Sequence, residues 1–289
     1  MNSPAAFSAL NRRDVRRRFD RAAPGFDGTD FVHTVTRDGL LERLEPMLVE
    51  GTTVVDLGCG TGSACRPLTR RFRRARIIGI DLSLGMLAEL SRKKPWRSKF
   101  AAVQADATAL PFADHSVDVV FANLLLPWID DLALLFREVA RVLQKEGLLL
   151  FSTLGPDSLL ELRRAWQSVD AGAHVNLFLD MHDIGDAAVR AGLRDPVLDV
   201  DRLTVTYASS TALFRDLTAA GARNSLRERC RSLSGKDRFA AVTDALEAER
   251  NADGIRLDLE LVYGHCWGSG AIARSGEYRV DATQIGRRS

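Results

Sequence analysis

The chain has 289 residues, with 40 basic against 38 acidic side chains and a net charge of +2, and 46% of its residues are apolar. This composition excludes a disordered chain and a polybasic tail. No apolar run approaches the roughly 18 residues of a membrane-spanning helix, so we expect no membrane span. The length suits one large α/β domain with a sizeable core.

The cysteines and the first residues indicate the compartment. The four cysteines are Cys59, Cys65, Cys230 and Cys266. They have neither the spacing of zinc ligands nor the density of a disulfide scaffold. The first residues lack the apolar segment of a secretory signal. We therefore expect a cytoplasmic protein without a metal site.

The first half of the chain alternates short β-rich runs with helical patterns, which is typical of a parallel sheet flanked by helices. We predict five strands, at residues 52–58, 76–81, 101–106, 117–123 and 147–154. Between the last two strands, apolar residues at helical spacing predict a helix over 132–143. The alternation of strand and helix indicates an open α/β sheet.

The second half is more helical and ends in a strand. We predict helices at 158–170 and 181–191, a sixth strand within 196–207, helical structure over 209–250 with breaks at Gly221 and Gly235, and a last strand at 255–264. The predicted fold is a Rossmann-like, seven-stranded α/β sheet. Its expected parts are a helical arm (1–51), the sheet domain (52–267) with a helical insertion at about 209–250, and a loosely held tail (268–289).

A glycine-rich loop closes the first predicted strand. It reads DLGCGTG from Asp56 to Gly62, with glycines at positions 58, 60 and 62. Glycines at such a turn allow tight backbone conformations and the close approach of a ligand, and a dinucleotide site would use the same physics. The spacing here is GxGxG after an acid inside the strand, which differs from the GxGxxG of dinucleotide sites.

Two more acids, Asp81 and Asp106, end the next two predicted strands. Three acids above one turn would repel a diphosphate and favour a cationic ligand, although each could also cap a turn or a helix. S-adenosylmethionine carries two cationic groups, a ribose and an adenine, but no phosphate. In these motifs the sequence resembles the class I methyltransferases that use this cofactor.

That resemblance implies a set of cofactor-binding residues: the loop for the methionine part, Asp81 for the ribose and Asp106 for the adenine. The expected set is Asp56, Gly58, Gly60, Gly62, Asp81, Leu82, Asp106, Ala107 and Asn123.

Further segments narrow the resemblance. Residues 18–23 (RFDRAA), 123–128 (NLLLPW), 151–166 and 174–178 (HVNLF) are similar to the malonyl-acyl-carrier-protein O-methyltransferases of biotin synthesis, the BioC family. The similarity runs from about residue 16 to about residue 267. One departure is Phe26, where the family commonly has tyrosine before the aspartate. A role of a phenol hydroxyl there cannot be carried over.

The family resemblance implies methyl transfer to the free carboxylate of a malonyl thioester. That carboxylate is ionised at neutral pH, so no general base is required and none is predicted. The candidate substrate residues are Phe19, Phe26, Asn123, Trp128, Arg163 and His174. The aromatic residues could instead serve packing alone, and His174 could be a hydrogen-bonded loop histidine.

Acyl carrier proteins are acidic, so the resemblance also implies a basic docking surface. The candidates are Arg12, Arg13, Arg16, Arg17 and Arg18 in the arm, and the basic residues from Arg223 to Arg238. A third basic run, over 66–76, is expected at the far edge of the sheet. Each run could also be solvated surface without a partner.

Other functions share the cofactor motifs. A methyltransferase of small molecules, quinones or RNA would carry them, although no aromatic-rich basic patch favours nucleic acid. A related group helps to assemble respiratory complex I, including by hydroxylating an arginine, and residues 251–254 and 276–277 resemble it. The cofactor motifs therefore leave the methyl acceptor open, and the residues of the second half of the chain must distinguish among these functions.

Overall fold

The computed structural model describes residues 10–94, 100–227 and 235–270, and these contain a seven-stranded sheet. The strands are β1 (Thr53–Leu57), β2 (Arg76–Asp81), β3 (Phe100–Gln104), β4 (Val117–Ala122), β5 (Leu143–Leu154), β6 (Leu193–Tyr207) and β7 (Ile255–Gly268). Their order is β3-β2-β1-β4-β5-β7-β6. Strand β7 is antiparallel to both neighbours, and the other pairs are parallel. The predicted fold class is confirmed.

Helices flank this sheet. They are α1 (Arg12–Ala22), α2 (Phe31–Leu44), α3 (Cys65–Arg71), α4 (Leu84–Lys93), α5 (Leu132–Val142), α6 (Leu160–Gln167), α7 (Met181–Arg190), α8 (Ser210–Ala219) and α9 (Lys236–Ala248). Short 3₁₀ turns follow α1 at Ala23–Gly28 and β4 at Leu126–Trp128. Within the described residues, none of these helices has the length and apolar character needed to cross a membrane.

The sheet divides the core into two layers, because successive side chains of a strand point to opposite faces. Val54 packs with α2, α3 and α4 on one face, while its neighbour Val55 packs with α5 and α7 on the other. Leu40 and Leu44 of α2 are fully buried in the first layer. Helix α2, within the predicted arm, is therefore part of the layer that covers the sheet.

A third apolar cluster joins α6, α8 and α9 to the start of β7. Helices α8 and α9 lie within the predicted insertion at about 209–250, and they pack with α6, the helix after β5. Strand order reverses between β1 and β4, and ligands of open α/β sheets bind at such a reversal, beyond the carboxyl ends of the strands. The fold thus directs attention to the loops after β1 and β4.

Among the element boundaries that differ from the sequence prediction, two have a clear tertiary reason. Helix α6 begins at Leu160 instead of residue 158, because Gly155 and Leu159 donate backbone hydrogen bonds of 2.9 Å to Glu260 and Asp258 of β7. Leu159 has a φ of +59°, which interrupts the helical backbone. Strand β5 begins at residue 143 instead of 147, because Leu143 pairs with Val117 of β4. The spacing of apolar residues within a segment does not reveal these partners, which lie in other strands.

Candidate active site

The glycine-rich loop follows β1 at the point where the strand order reverses. All three glycines have a positive φ, a backbone conformation that residues with a Cβ rarely adopt. A Cβ at Gly60 would have only Phe26 near it, at 3.9 Å, so this backbone borders open space. A Cβ at Gly62 would lie 2.8 Å from Leu90 of α4. Gly60 therefore offers close approach to a ligand, whereas Gly62 allows close packing of loop and helix.

Asp81 ends β2 and holds the loop from the side. Its Oδ2 accepts a hydrogen bond of 2.9 Å from the Gly60 amide, and its Oδ1 accepts one of 2.8 Å from the Ser83 amide. Burial raises the pKa of Asp81, while these two backbone hydrogen bonds lower it. A carboxylate can accept several hydrogen bonds, so Asp81 can both position the loop and accept hydrogen bonds from ribose hydroxyls.

Asp56 lies under the same loop with 2% of its surface exposed. The Cys65 thiol approaches its Oδ2 at 3.3 Å. Burial raises the pKa of Asp56 to about 7, and the nearby negative charge of Asp81 adds to that rise, against the hydrogen bond from Cys65. A cation bound next to this carboxylate would stabilise its charged form and so lower its pKa.

Asp106 occupies the turn after β3, two residues beyond the end of that strand, and not the strand end that we predicted. Its Oδ1 accepts hydrogen bonds from the amide and the hydroxyl of Thr108, at 2.9 and 2.8 Å. Its Oδ2 forms an ion pair with Arg12 of α1. The Asp106 side chain thus lies at the carboxyl edge of the sheet, where helix α1 of the arm contacts it.

These groups surround one cavity, which we call the cofactor cavity. It is lined by eight of the nine predicted cofactor residues: Asp56, Gly58, Gly60, Asp81, Leu82, Asp106, Ala107 and Asn123. Gly62 is the ninth and faces α4 instead. Five aspartates line the cavity, at positions 56, 81, 106, 130 and 131, and much of the remaining wall is apolar, which fits the cations, ribose and adenine of S-adenosylmethionine.

The helical arm covers this cavity. Phe19, Phe26 and Trp128 line it, and the rings of Phe19 and Trp128 meet edge to face with centroids 5.0 Å apart. Asp27 accepts a hydrogen bond of 2.6 Å from the Thr61 hydroxyl of the glycine-rich loop. Asp20 accepts one of 2.6 Å from the Ser83 hydroxyl. The aromatic residues therefore combine packing of the arm with contact to the cavity.

Asn123 lies at the end of β4, and both ends of its amide are already bonded. Its Nδ2 donates to the carbonyl of His33 at 2.9 Å, and its Oδ1 accepts from the Ser152 hydroxyl at 2.8 Å. The Ser152 oxygen also accepts from the Leu124 amide at 2.9 Å, where the backbone has a φ of +50°. Asn123 thus connects α2 to the sheet.

We expect Asn123→Ala and Ser152→Ala each to lower the free energy of unfolding by about 1–3 kcal/mol, because each leaves a buried partner unbonded. The double variant should lose less than the sum, since both substitutions break the same bond. Urea unfolding measures all three. Ser116→Ala, which removes a bond to an exposed loop carbonyl, is the control and should change stability little. Additive losses would contradict a shared network.

A second cavity lies beside the first, and we call it the acceptor cavity. The two share His33, Leu124 and Trp128. The acceptor cavity is lined chiefly by apolar residues of α2, α6, α8, β6 and β7, with polar groups at a few points. Its other lining residues include Val32, Leu154, Leu159, Leu162, His174, Val175, Phe178, Tyr207, Leu217, Ala222, Arg223, Asn224 and Leu257.

The two remaining substrate candidates are placed differently. His174 lines the acceptor cavity, but its ring stacks on Trp166 at 3.8 Å and its Nε2 lies 2.6 Å from Asp170. Arg163 lines neither cavity. It donates a 3.3 Å hydrogen bond to the carbonyl of Asn176, and burial lowers its pKa. His174 is thus held in the wall of the acceptor cavity, whereas Arg163 is bonded to Asn176, a residue of that wall, from outside the cavity.

His33 is a candidate that the sequence reasoning missed. It borders both cavities, and its ring meets that of Phe26 with centroids 5.0 Å apart. Burial lowers the pKa of His33 to about 4, so the imidazole is neutral at neutral pH. No motif or spacing marks a lone histidine in the first turn of a helix. Only the packing of α2 over the end of β4 brings it to the junction.

Comparison with known proteins agrees with this geometry. A family profile described as a methyltransferase domain matches residues 55–151. The YcgJ protein of Bacillus subtilis has the same fold, with a TM-score of 0.59 and 18% identity over 80% of this chain and 97% of that one. A putative methyltransferase of Bacillus halodurans has a TM-score of 0.58 and 14% identity over 78% and 96%. Fold and site together define a class I S-adenosylmethionine-dependent methyltransferase.

Curated relatives cover nearly the whole chain. It is 43% identical to the malonyl-[acyl-carrier protein] O-methyltransferase of Halorhodospira halophila, over 99% of both chains. The enzyme of that name from Xylella fastidiosa is 41% identical over 94% of this chain and 93% of its own. The chain belongs to the malonyl-[acyl-carrier protein] O-methyltransferase family.

Proposed function

We propose that this methyltransferase acts on the free carboxylate of a malonyl thioester carried by acyl carrier protein, giving a malonyl methyl ester for biotin synthesis. One observation carries the proposal: the 43% identity extends over 99% of both chains. It therefore includes α6 to α9, which border the acceptor cavity. The cofactor half alone would not distinguish among acceptors, because many methyltransferases share it.

The reaction needs little acid–base chemistry. Bound S-adenosylmethionine supplies an activated methyl group on a sulfonium. A malonyl carboxylate is ionised at neutral pH, so its oxygen attacks without losing a proton. The O–CH₃ bond forms as the S–CH₃ bond breaks, and the products are the methyl ester and S-adenosylhomocysteine. The protein's task is to hold the carboxylate in line and to exclude water, which the apolar junction of Leu124 and Trp128 supports.

The rival functions receive less support. Relatives at 36–43% identity are named for malonyl-carrier methylation, which disfavours both a quinone methyltransferase and a complex I assembly factor. Residues 251–254 form a tight turn before β7, in which Asn251 and Gly254 exchange backbone hydrogen bonds of 3.1 and 3.2 Å. That turn accounts for the asparagine and the glycine. Residues 276–277 lie outside the described residues.

A transfer assay tests the function. Methyl-labelled cofactor incubated with malonyl-acyl carrier protein should yield a base-labile ester, while acetyl-acyl carrier protein, which has no free carboxylate, should yield none. Rescue of biotin-free growth in a strain that lacks this activity would extend the result to the cell. Cofactor binding without transfer to the malonyl carrier would reject the proposal.

The free cysteines support a reducing compartment. Cys59, Cys65 and Cys266 are buried and unpaired by disulfides. Burial raises the pKa of each thiol, which keeps it protonated and unreactive. Cys230 lies outside the described residues. We therefore propose that the reaction takes place in the cytoplasm.

We propose that the carrier protein docks on the basic clusters next to the two cavities. In the arm, acidic neighbours already engage three arginines: Arg12 pairs with Asp106, Arg16 with Asp20 and Arg17 with Asp14. Arg13 is exposed and forms no ion pair within the described residues. Of the second cluster, residues 228–234 lie outside the described residues, while Arg223, Arg227, Lys236 and Arg238 lie within them. Among the five arm arginines predicted to dock, Arg13 is thus an exposed cation without an ion pair in the described part of the chain.

We expect Arg13→Glu to raise the KM for malonyl-acyl carrier protein about 3- to 10-fold, because it replaces attraction by repulsion at the docking surface. The KM for malonyl-N-acetylcysteamine, which has no carrier, should stay unchanged. The control is Arg74→Glu, an exposed arginine before the amino end of β2, on the opposite edge of the sheet. Equal effects on both substrates would reject docking through Arg13.

A further inference from the structure

Defined side chains lie at both ends of the acceptor cavity, the inner end and the mouth. At its inner end it shares His33, Leu124 and Trp128 with the cofactor cavity. Its walls are chiefly apolar, and the carboxylate of Asp216 in the wall accepts a hydrogen bond of 2.7 Å from the Tyr207 hydroxyl. Arg223 and Asn224 lie in a segment that borders the cavity after α8. A ligand with an anion at each end and a flexible chain between them would match this distribution of groups.

The inner end offers a hydrogen-bond donor. The ring nitrogens of His33 have no partner among the described residues, and the neutral imidazole carries one N–H. The ring is held by Phe26, and its backbone carbonyl is held by Asn123. A donor that is fixed at the boundary of the two cavities can orient a carboxylate toward a methyl group on the other side.

The mouth offers a positioned cation. Arg223 is exposed and has no ion pair in the described parts of the chain. Its neighbours are fixed: Asn224 donates a 2.7 Å hydrogen bond to the carbonyl of Ala173, and the carbonyl of Ser225 accepts one of 2.8 Å from the amide of Asn11. The segment that carries Arg223 is thus tied both to the arm and to the loop after α6. A guanidinium suits a phosphate, because it can donate two parallel hydrogen bonds.

We propose that the acceptor cavity is the channel for the malonyl-phosphopantetheine arm, with the malonyl carboxylate at His33, the pantetheine chain along the apolar wall, and the phosphate on Arg223. This inference rests on the proposed function and deepens it. It assigns Arg223 to the prosthetic group of the carrier and not to the acidic protein surface. The two assignments make different predictions for a substrate without the carrier protein. Only the phosphate assignment predicts that loss of Arg223 slows methylation of a small phosphorylated thioester.

Two small thioesters separate them: malonyl-4′-phosphopantetheine and malonyl-pantetheine, which differ by the phosphate alone. Arg223→Ala should lower kcat/KM about 10-fold or more for the phosphorylated substrate and less than 2-fold for the other. The matched control is Arg215→Ala, an exposed arginine of α8 that borders neither cavity. An equal change on both thioesters, or no change on either, would overturn the phosphate assignment.

A filling substitution tests the channel itself. Ala222 lines the acceptor cavity and not the cofactor cavity, so Ala222→Trp should block the chain. We expect at least about 100-fold slower transfer to both thioesters, with the Kd for S-adenosylhomocysteine within twofold of the original protein, which also reports folding. Transfer at the original rate in this folded variant would reject the channel. Failure of the unmodified enzyme to methylate any malonyl thioester would instead reject the proposed function.

Discussion

Replacement of Asp81 by alanine is expected to weaken binding of S-adenosylhomocysteine about 100-fold or more. The carboxylate accepts hydrogen bonds from the amides of Gly60 and Ser83 and is proposed to accept others from the ribose. Hydrogen bonds to a charged group each contribute about 1.5–3 kcal/mol, so the loss of two ribose bonds alone accounts for this factor. Isothermal titration calorimetry measures it directly.

Asp118 provides a matched control. It also stands next to β1 and accepts backbone hydrogen bonds, from Thr52 at 2.8 Å and Thr53 at 2.9 Å, but at the amino end of the sheet. Asp118→Ala should therefore lower the melting temperature while cofactor affinity stays within about twofold. If both variants lost affinity equally, Asp81 would act through general stability, and the ribose assignment would fail.

Asp56→Asn should weaken binding of S-adenosylmethionine about 10- to 100-fold and at the same time stabilise the free protein at pH 8. Burial raises the pKa of Asp56 to about 7, well above the value of about 3.9 for an exposed aspartate. Between pH 4 and pH 7 the folded protein therefore holds a proton that the unfolded chain releases. The contribution of this group to stability falls as pH rises through that window, and above pH 7 it is a cost on the order of a few kcal/mol.

The same titration predicts the pH dependence of binding. A cationic ligand requires the charged carboxylate, so affinity should fall by up to about tenfold per pH unit below pH 7. Burial also raises the pKa of Asp81, which acts in the same direction. In Asp56→Asn the slope should flatten. Calorimetry between pH 6 and pH 8.5 tests the predicted pH dependence of affinity, and melting temperatures at each pH test that of stability. An unchanged slope of affinity against pH in the variant would contradict the role of Asp56.

Much of the lining of the cofactor cavity was predictable because it is local. The glycine-rich loop follows β1, Asp81 ends β2 and Asp106 lies just after β3, and the carboxyl ends of parallel strands meet at one edge of the sheet. Periodicity therefore sufficed to bring them together. The boundary of α6 was not predictable, since Glu260 and Asp258 of β7, about a hundred residues away, decide where that helix starts.

The amino acid sequence alone therefore indicated the fold class, the cofactor and the family, because these are carried by short motifs and by the alternation of strands and helices. The tertiary structure decided which polar groups remain free to act. Asn123, a predicted ligand, has its amide bonded at both ends to other parts of the chain, whereas His33, which no motif marks, reaches the junction of two cavities. The physical reason is that hydrogen-bond partners and cavity walls come from segments far apart in the chain.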